Sequence, residues 1–156
     1  MPEFGKRSLE QRATVTQKLK NVADSVIKIF DFSFICGRRS KEDQNEAHRK
    51  GYSGVQWPNS KHNVKVSEDL AKAMDLYPYP RPIWTGELLK ALDSNTLSRK
   101  ETLRKLRDWA RWYYLAGLVK GVAHEQGTNL RQGCDWDRDG DFTDQKFDDV
   151  PHHETR

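Results

Sequence analysis

Apolar residues recur at Val15, Leu19, Val22, Val26 and Ile29, three or four positions apart, with Lys and Asp between them. That spacing predicts one amphipathic scaffold helix over residues 8–29. The pattern then tightens. Residues 30–36 are largely apolar and read as a short strand ended by Gly37-Arg38-Arg39. Ser40 before Lys41-Glu42-Asp43 has the chemistry of a helix start, a hydroxyl to accept backbone N–H groups and acids in the first turn. This helix should reach Lys50 and stop at Gly51.

Residues 51–68 are rich in Gly, Pro, Ser and Asn and read as a loop carrying His62. Ser67-Glu68-Asp69-Leu70 reads as the capped first turn of a short inserted helix. A strand is expected from Met74 to Tyr77, closed by Pro78 and Pro80, and Pro80 with Pro82 excludes a helix there. Residues 98–125 are the longest helical stretch. Leu103, Leu106, Trp109, Ala110, Tyr113, Ala116, Leu118 and Val119 give it a broad apolar face, read as core, and Gly127 ends it. Residues 130–136 should form a strand, and a last strand should carry His152. Without repeats or a linker, this order predicts an α+β fold: one domain over residues 1–156, with a small mixed or antiparallel sheet packed against several helices.

Composition changes the picture in two ways. The chain is polar, with 35% hydrophobic and 32% charged residues, yet six Phe, five Trp and five Tyr supply enough buried area to argue against disorder. The net charge of +4 points to a polyanionic partner, either nucleic acid or a bacterial cell wall. Residues 1–50 and 98–111 are basic, whereas residues 135–154 are acidic and would repel a phosphate backbone, which disfavours nucleic acid. Two cysteines make no disulfide framework, and Cys36, inside an apolar run, reads as a buried inert thiol. The opening residues lack the apolar core of a signal peptide, and no stretch approaches the ~20 apolar residues of a membrane span. The expectation is a monomer made in the cytoplasm, without membrane insertion.

Two distant segments carry the candidate chemistry. One holds Ser60-Lys61-His62-Asn63 and, further on, Asp75; the other is Asp148-Asp149-Val150-Pro151-His152-His153-Glu154. Together they offer two imidazoles and a carboxylate for one zinc ion, with Asp149 left over to handle the proton of an attacking water. Asp75 is preferred to Asp69 as the ligand because its neighbours are apolar, where an unpaired charge would be costly. His153 should point to the opposite face of its strand from His152. A second acidic run, Asp135-x-Asp137-x-Asp139-Gly140-Asp141, places oxygens at alternate positions, as calcium loops do. Its closing Glu is absent, and Asp144 could substitute. The plainer reading is an Asp/Gly-rich turn.

These residues resemble the zinc peptidases of the D-Ala-D-Ala carboxypeptidase class, and within it the phage L-alanyl-D-glutamate endopeptidases, which are endolysins. Phe34, Gly37, Arg39, Ser40 and Gln44 look like the family's strand and Gly-x-Arg-Thr segment. Ser60-x-His62, Ala73-x-Asp75 and Pro78-Tyr79-Pro80 look like its Ser-x-His and Ala-x-Asp signature. Leu130-Arg131-x-Gly133-x-Asp135-Trp136 looks like the strand after its long helix, and Asp149-x-Pro151-His152-x-Glu154 like its terminal signature. The resemblance implies zinc held by His62, Asp75 and His152, Asp149 as general base and then acid, and Arg39 stabilising the oxyanion. It implies cleavage of the L-Ala–D-Glu bond in peptidoglycan, by an enzyme held in the host bacterial cytoplasm until lysis and lacking a separate wall-binding domain. The interval from His62 to Asp75 is longer than the family's usual one, which implies an insertion and keeps Asp69 open as the ligand. A D-Ala-D-Ala carboxypeptidase or dipeptidase would use the same residues on another bond. A non-catalytic wall- or nucleic-acid-binding module would leave Asp149 unexplained.

Overall fold

The structure, a computed structural model, describes residues 1–65, 69–94 and 96–155; Ser67 and Glu68 of the helical turn expected at Ser67-Glu68-Asp69-Leu70 lie outside them. The amphipathic stretch at the start is two helices, α1 (Lys6–Ala13) and α2 (Gln17–Val26). The break falls at Thr14-Val15-Thr16, where β-branched residues favour extended backbone. There Val15 pairs with Ala71, Thr16 N–H donates to the Ala71 carbonyl at 3.0 Å, and Ala71 N–H donates to Thr14 at 2.9 Å. Val15, Leu19, Val22 and Val26 are all fully buried, so the expected apolar face is real, while Ile29 is exposed.

β1 (Phe32–Cys36) leads to α3 (Lys41–Arg49), whose cap is as expected: Ser40 Oγ accepts from Asp43 N–H at 3.0 Å. β2 (Ala73–Pro78) follows the long loop. α4 (Thr85–Asp93) is a helix that the apolar pattern does not announce; it is fixed at its start by Glu87, which accepts from Trp84 N–H at 2.8 Å. The predicted helix over 98–125 is also two, α5 (Arg99–Trp109) and α6 (Arg111–Glu125), which meet at Ala110. α5 buries no residue, and its Leu103 and Leu106 are exposed. It is tied to α4 by Trp109 Nε1–H on Thr85 Oγ1 at 3.0 Å. α6 supplies the core instead, through Trp112, Leu115, Ala116, Val119 and Ala123.

The strand expected over 130–136 ends early, as β3 (Leu130–Gly133), and β4 (Asp149–Thr155) closes the fold. All pairs are antiparallel, in the order β1-β2-β4-β3. β3 stops because its register slips at Gly133, where the chain lies so close to Asp149 that a Cβ would meet the Asp149 carbonyl at 2.2 Å. One face of the sheet, through Phe34, Met74 and Leu76, packs on α2 and α6. A smaller cluster joins Trp112, Ala116, Cys134 and Val150 to Trp84, whose ring stacks on Trp112 at 4.4 Å. Strand alternation turns Asp75, between Met74 and Leu76, to the other face. His152 stands directly across from it on β4. His153 faces α6 as expected: Gln132 Nε2–H reaches both its Nδ1, at 3.1 Å, and the Ala116 carbonyl, at 2.8 Å.

Candidate active site

The central strands and the long loop bring three side chains to one point. β2 supplies Asp75, β4 supplies His152, and the loop before β2 supplies His62. The loop is pinned on both sides of its histidine. Arg39 N–H donates to the His62 carbonyl at 2.9 Å, and Lys72 N–H donates to the Lys61 carbonyl at 2.9 Å. His62 N–H in turn reaches Ser60 Oγ at 3.2 Å.

Each imidazole is oriented through its outer nitrogen. His62 Nδ1 lies 2.5 Å from the Gly37 carbonyl, which can only accept, so the proton sits on Nδ1 and Nε2 faces inward. His152 Nε2 lies 3.0 Å from Glu154 Oε2, so its Nδ1 faces inward. The inward atoms and Asp75 Oδ1 form a near-equilateral triangle: His62 to Asp75 3.1 Å, His62 to His152 3.1 Å, and His152 to Asp75 3.2 Å. Three lone-pair donors this close repel one another unless a cation or a proton sits among them. A tetrahedral zinc ion, about 2.0–2.1 Å from each donor, holds its ligands ~3.3–3.4 Å apart, so the donor set fits such an ion. In the metal-free chain a proton fills the role. Burial opposes a charge on His62, but Asp75 outweighs it and pushes the imidazole up to about 10. Burial likewise opposes the charge on Asp75, and His62 and His152 hold it well below the usual carboxylate range.

Cys36 corrects an expectation. It is half-buried at the edge of this site, with Sγ 3.8 Å from His62 Nδ1, and Cys36, His62 and Asp75 also cluster closely enough to hold a metal. The nitrogen that meets Cys36, however, is the one committed to the Gly37 carbonyl. Asp69 is exposed and lines a neighbouring groove, apart from His62 and His152.

Around the triangle stands a layer of supporting contacts. Arg39 Nη2 reaches Asp75 Oδ2 at 3.0 Å and its Nη1 reaches Gln44 Oε1 at 3.2 Å. Gln44, fully buried, donates on to the Val55 carbonyl at 2.7 Å, tying the guanidinium to the loop wall. Glu154 Oε1 accepts from Arg131 Nε at 2.8 Å, and Arg131 lies over the Trp136 ring at 5.0 Å. Asp149 opens into a cavity of about 450 Å³ that also touches Arg39, Lys61, His62, Arg131, Trp136 and His152. Among the described residues the Asp149 carboxylate has no hydrogen-bond partner. Burial and the nearby Asp75 charge push it up to about 6, against the pull of His152, His62 and Arg39. A poised carboxylate beside three metal-type donors and a guanidinium is equipped for hydrolysis of a carbonyl compound.

The acidic loop is built differently. Asp135, Asp137 and Asp139 cluster, but Asp135 is buried and Lys120 Nζ lies 2.7 Å from its Oδ2. Asp141 Oδ1 accepts from Thr143 N–H at 2.8 Å, and Asp144 Oδ1 accepts from Gln145 Nε2 at 2.5 Å. Much of the mutual repulsion of these carboxylates is therefore met by Lys120 and these internal bonds.

Sequence reasoning assigned no role to Glu154, Gln44 or the Gly37 carbonyl. Glu154 was within reach, because a residue two beyond His152 on a strand shares its face. The Gly37 carbonyl carries no side-chain signal.

Compared with known proteins, residues 2–155 match the family described as phage L-alanyl-D-glutamate peptidase. The L-alanyl-D-glutamate peptidase of Escherichia phage T5 is 28% identical over 146 residues, covering 92% of this chain and 88% of that protein. The L-Ala D-Glu endopeptidase ChiX of Serratia marcescens superposes with a TM-score of 0.62 over 99% of this chain and 90% of its own, at 21% identity, a likeness of fold.

Proposed function

Because the chain belongs to the phage L-alanyl-D-glutamate peptidase family, we propose that it is a zinc-dependent endolysin that hydrolyses the L-Ala–D-Glu bond of peptidoglycan stem peptides. The observation that carries the zinc reading is the triangle of His62 Nε2, Asp75 Oδ1 and His152 Nδ1, with both imidazoles oriented from outside. A zinc ion held there supplies Lewis acidity and brings the ionisation of water towards neutral pH.

The chain's own groups do the rest. Asp149, unpaired in the cavity, takes the proton of the attacking water and passes it to the leaving amine nitrogen. Arg39, held by Asp75 and Gln44, stabilises the negative charge that develops on the carbonyl oxygen. Glu154 and the Gly37 carbonyl keep the imidazoles in the required tautomers. The proposal extends to one catalytic domain acting as a monomer, without nucleic acid, held in the host cytoplasm until lysis. Among the described residues no helix is long and apolar enough to cross a membrane. It also includes calcium at Asp135, Asp137, Asp139, Asp141 and Asp144 as a stabiliser of the loop before β4.

Digestion of purified cell walls, with new termini read by mass spectrometry, tests the reaction. New N-terminal D-Glu is expected; release of free D-Ala would instead mark a D-Ala-D-Ala carboxypeptidase.

A further inference from the structure

The cavity beside Asp149 adjoins a second groove, for Asn59, Ser60 and Lys61 line both. Three Lys or Arg residues line the cavity. Arg39 is paired with Asp75, and Arg131 is paired with Glu154. Lys61 is exposed and makes no ion pair among the described residues. Its backbone is nonetheless fixed, between the oriented His62 and the bond from Lys72 N–H to its carbonyl. Beyond it the groove carries Lys65, Lys72 and Asp69, and among the described residues the three lysines are exposed there without ionic partners. In the inner cavity Asp75 and Glu154 are matched by Arg39 and Arg131, and Asp149 is the acid left without an ionic partner among the described residues. An anionic group entering this site meets at the lip, in Lys61, a cation that no carboxylate neutralises among the described residues.

The chemistry of the bond supplies such a group. In a stem peptide the D-glutamate nitrogen is acylated by L-Ala and the chain continues through the γ-carboxyl. Its α-carboxylate is therefore free, and it sits on the same carbon as the scissile nitrogen. We propose that Lys61 forms an anion subsite for this α-carboxylate, and that the groove past it receives the part of the stem peptide that follows. The inference rests on the proposed cleavage of the L-Ala–D-Glu bond. It adds a means of telling a free D-glutamate from one whose α-carboxyl is amidated. Lys61 binds the carboxylate alike before and during reaction, so it acts on KM and leaves kcat alone.

The test uses the metal-loaded full chain and two soluble peptides, L-Ala-γ-D-Glu-L-Lys and the same peptide with its α-carboxyl amidated. Wild type is expected to favour the free acid through KM. Lys61→Gln should raise KM for the acid about tenfold, the low end for one charge-assisted hydrogen bond, with kcat unchanged. It should leave the amide peptide unaffected, so that discrimination disappears, and Lys61→Arg should restore it. Lys90→Gln removes the same charge from the exposed surface of α4 and should change neither constant. A discrimination ratio that survives Lys61→Gln, or one that Lys90→Gln reduces equally, overturns the subsite while the cleavage assignment stands. If wild type cuts neither peptide between Ala and Glu, the assignment falls and the subsite falls with it.

Discussion

Asp149 and Glu154 lie on one strand and act at different distances from the chemistry. Burial holds the Asp149 proton up to about 6, and below that pH the group cannot accept one from water. Activity should therefore rise with pH through an acidic limb at or below about 6, since a cation among His62, Asp75 and His152 pulls the carboxyl lower. Asp149→Asn should keep metal content and lose at least ~10²-fold in kcat/KM, and the limb should vanish. The linkage sign separates this loss from misfolding. A carboxyl raised above its ordinary range weakens the native state as pH climbs from 3.8 to about 6. Metal-free Asp149→Asn should then melt at or above wild type at pH 8, and a lower melting temperature would mean the side chain is structural. Glu154 works through His152. Glu154→Ala should weaken metal affinity about 10- to 100-fold in chelator competition, and Glu154→Gln, which still offers an oxygen to Nε2–H, should recover part of it. Unchanged affinity in both variants would remove Glu154 from the support of the site.

At the scale of elements, what the sequence made legible follows the reach of each signal. His62, Asp75 and His152, singled out by residue type, come together because Asp75 and His152 sit across from each other on neighbouring strands and the pinned loop carries His62 to them. His153 turns to α6 because strand alternation is strict. Helix boundaries were harder. Val15 keeps the helical spacing of its neighbours, so only its partner Ala71, far along the chain, reveals the break between α1 and α2. The apolar face drawn from Leu103 to Val119 likewise merged two helices with different surroundings. α6 packs on the sheet, whereas α5 rests on α4 and leaves Leu103 and Leu106 in solvent. Urea denaturation of metal-free variants checks that division. Leu115→Ala, at a fully buried position, should cost about 2–5 kcal/mol. Leu103→Ser should stay within about 0.5 kcal/mol of wild type, as surface changes do. Comparable losses at both positions would mean that α5 belongs to the core after all. No local pattern could have assigned Lys61 its setting, because that depends on which other cations find partners in the folded chain.

Across the whole molecule the acidic loop between β3 and β4 lies beside the site, since Trp136 packs over His152 at 5.3 Å and Asp149 begins β4. The loop's fixed point is Asp135, buried and paired with Lys120. Asp137, Asp139, Asp141 and Asp144 remain exposed, and the charges of Asp137 and Asp139, after some desolvation, raise the Asp144 carboxyl above its usual range. A hard cation sharing Asp135, Asp137 and Asp139 would relieve that residual repulsion and brace Trp136 and Asp149 from one side. A ligand that binds only the folded chain stabilises it by about 2.7 kcal/mol at a hundredfold excess over its dissociation constant. Micromolar to millimolar calcium should thus raise the melting temperature of the zinc-loaded protein and increase its rate of wall lysis. Asp139→Ala should abolish both responses with zinc content intact. Should a calcium-selective chelator leave melting temperature and lysis rate unmoved, Lys120 and the internal bonds of Gln145 and Thr143 already satisfy the loop, and its part is confined to turning the chain into β4.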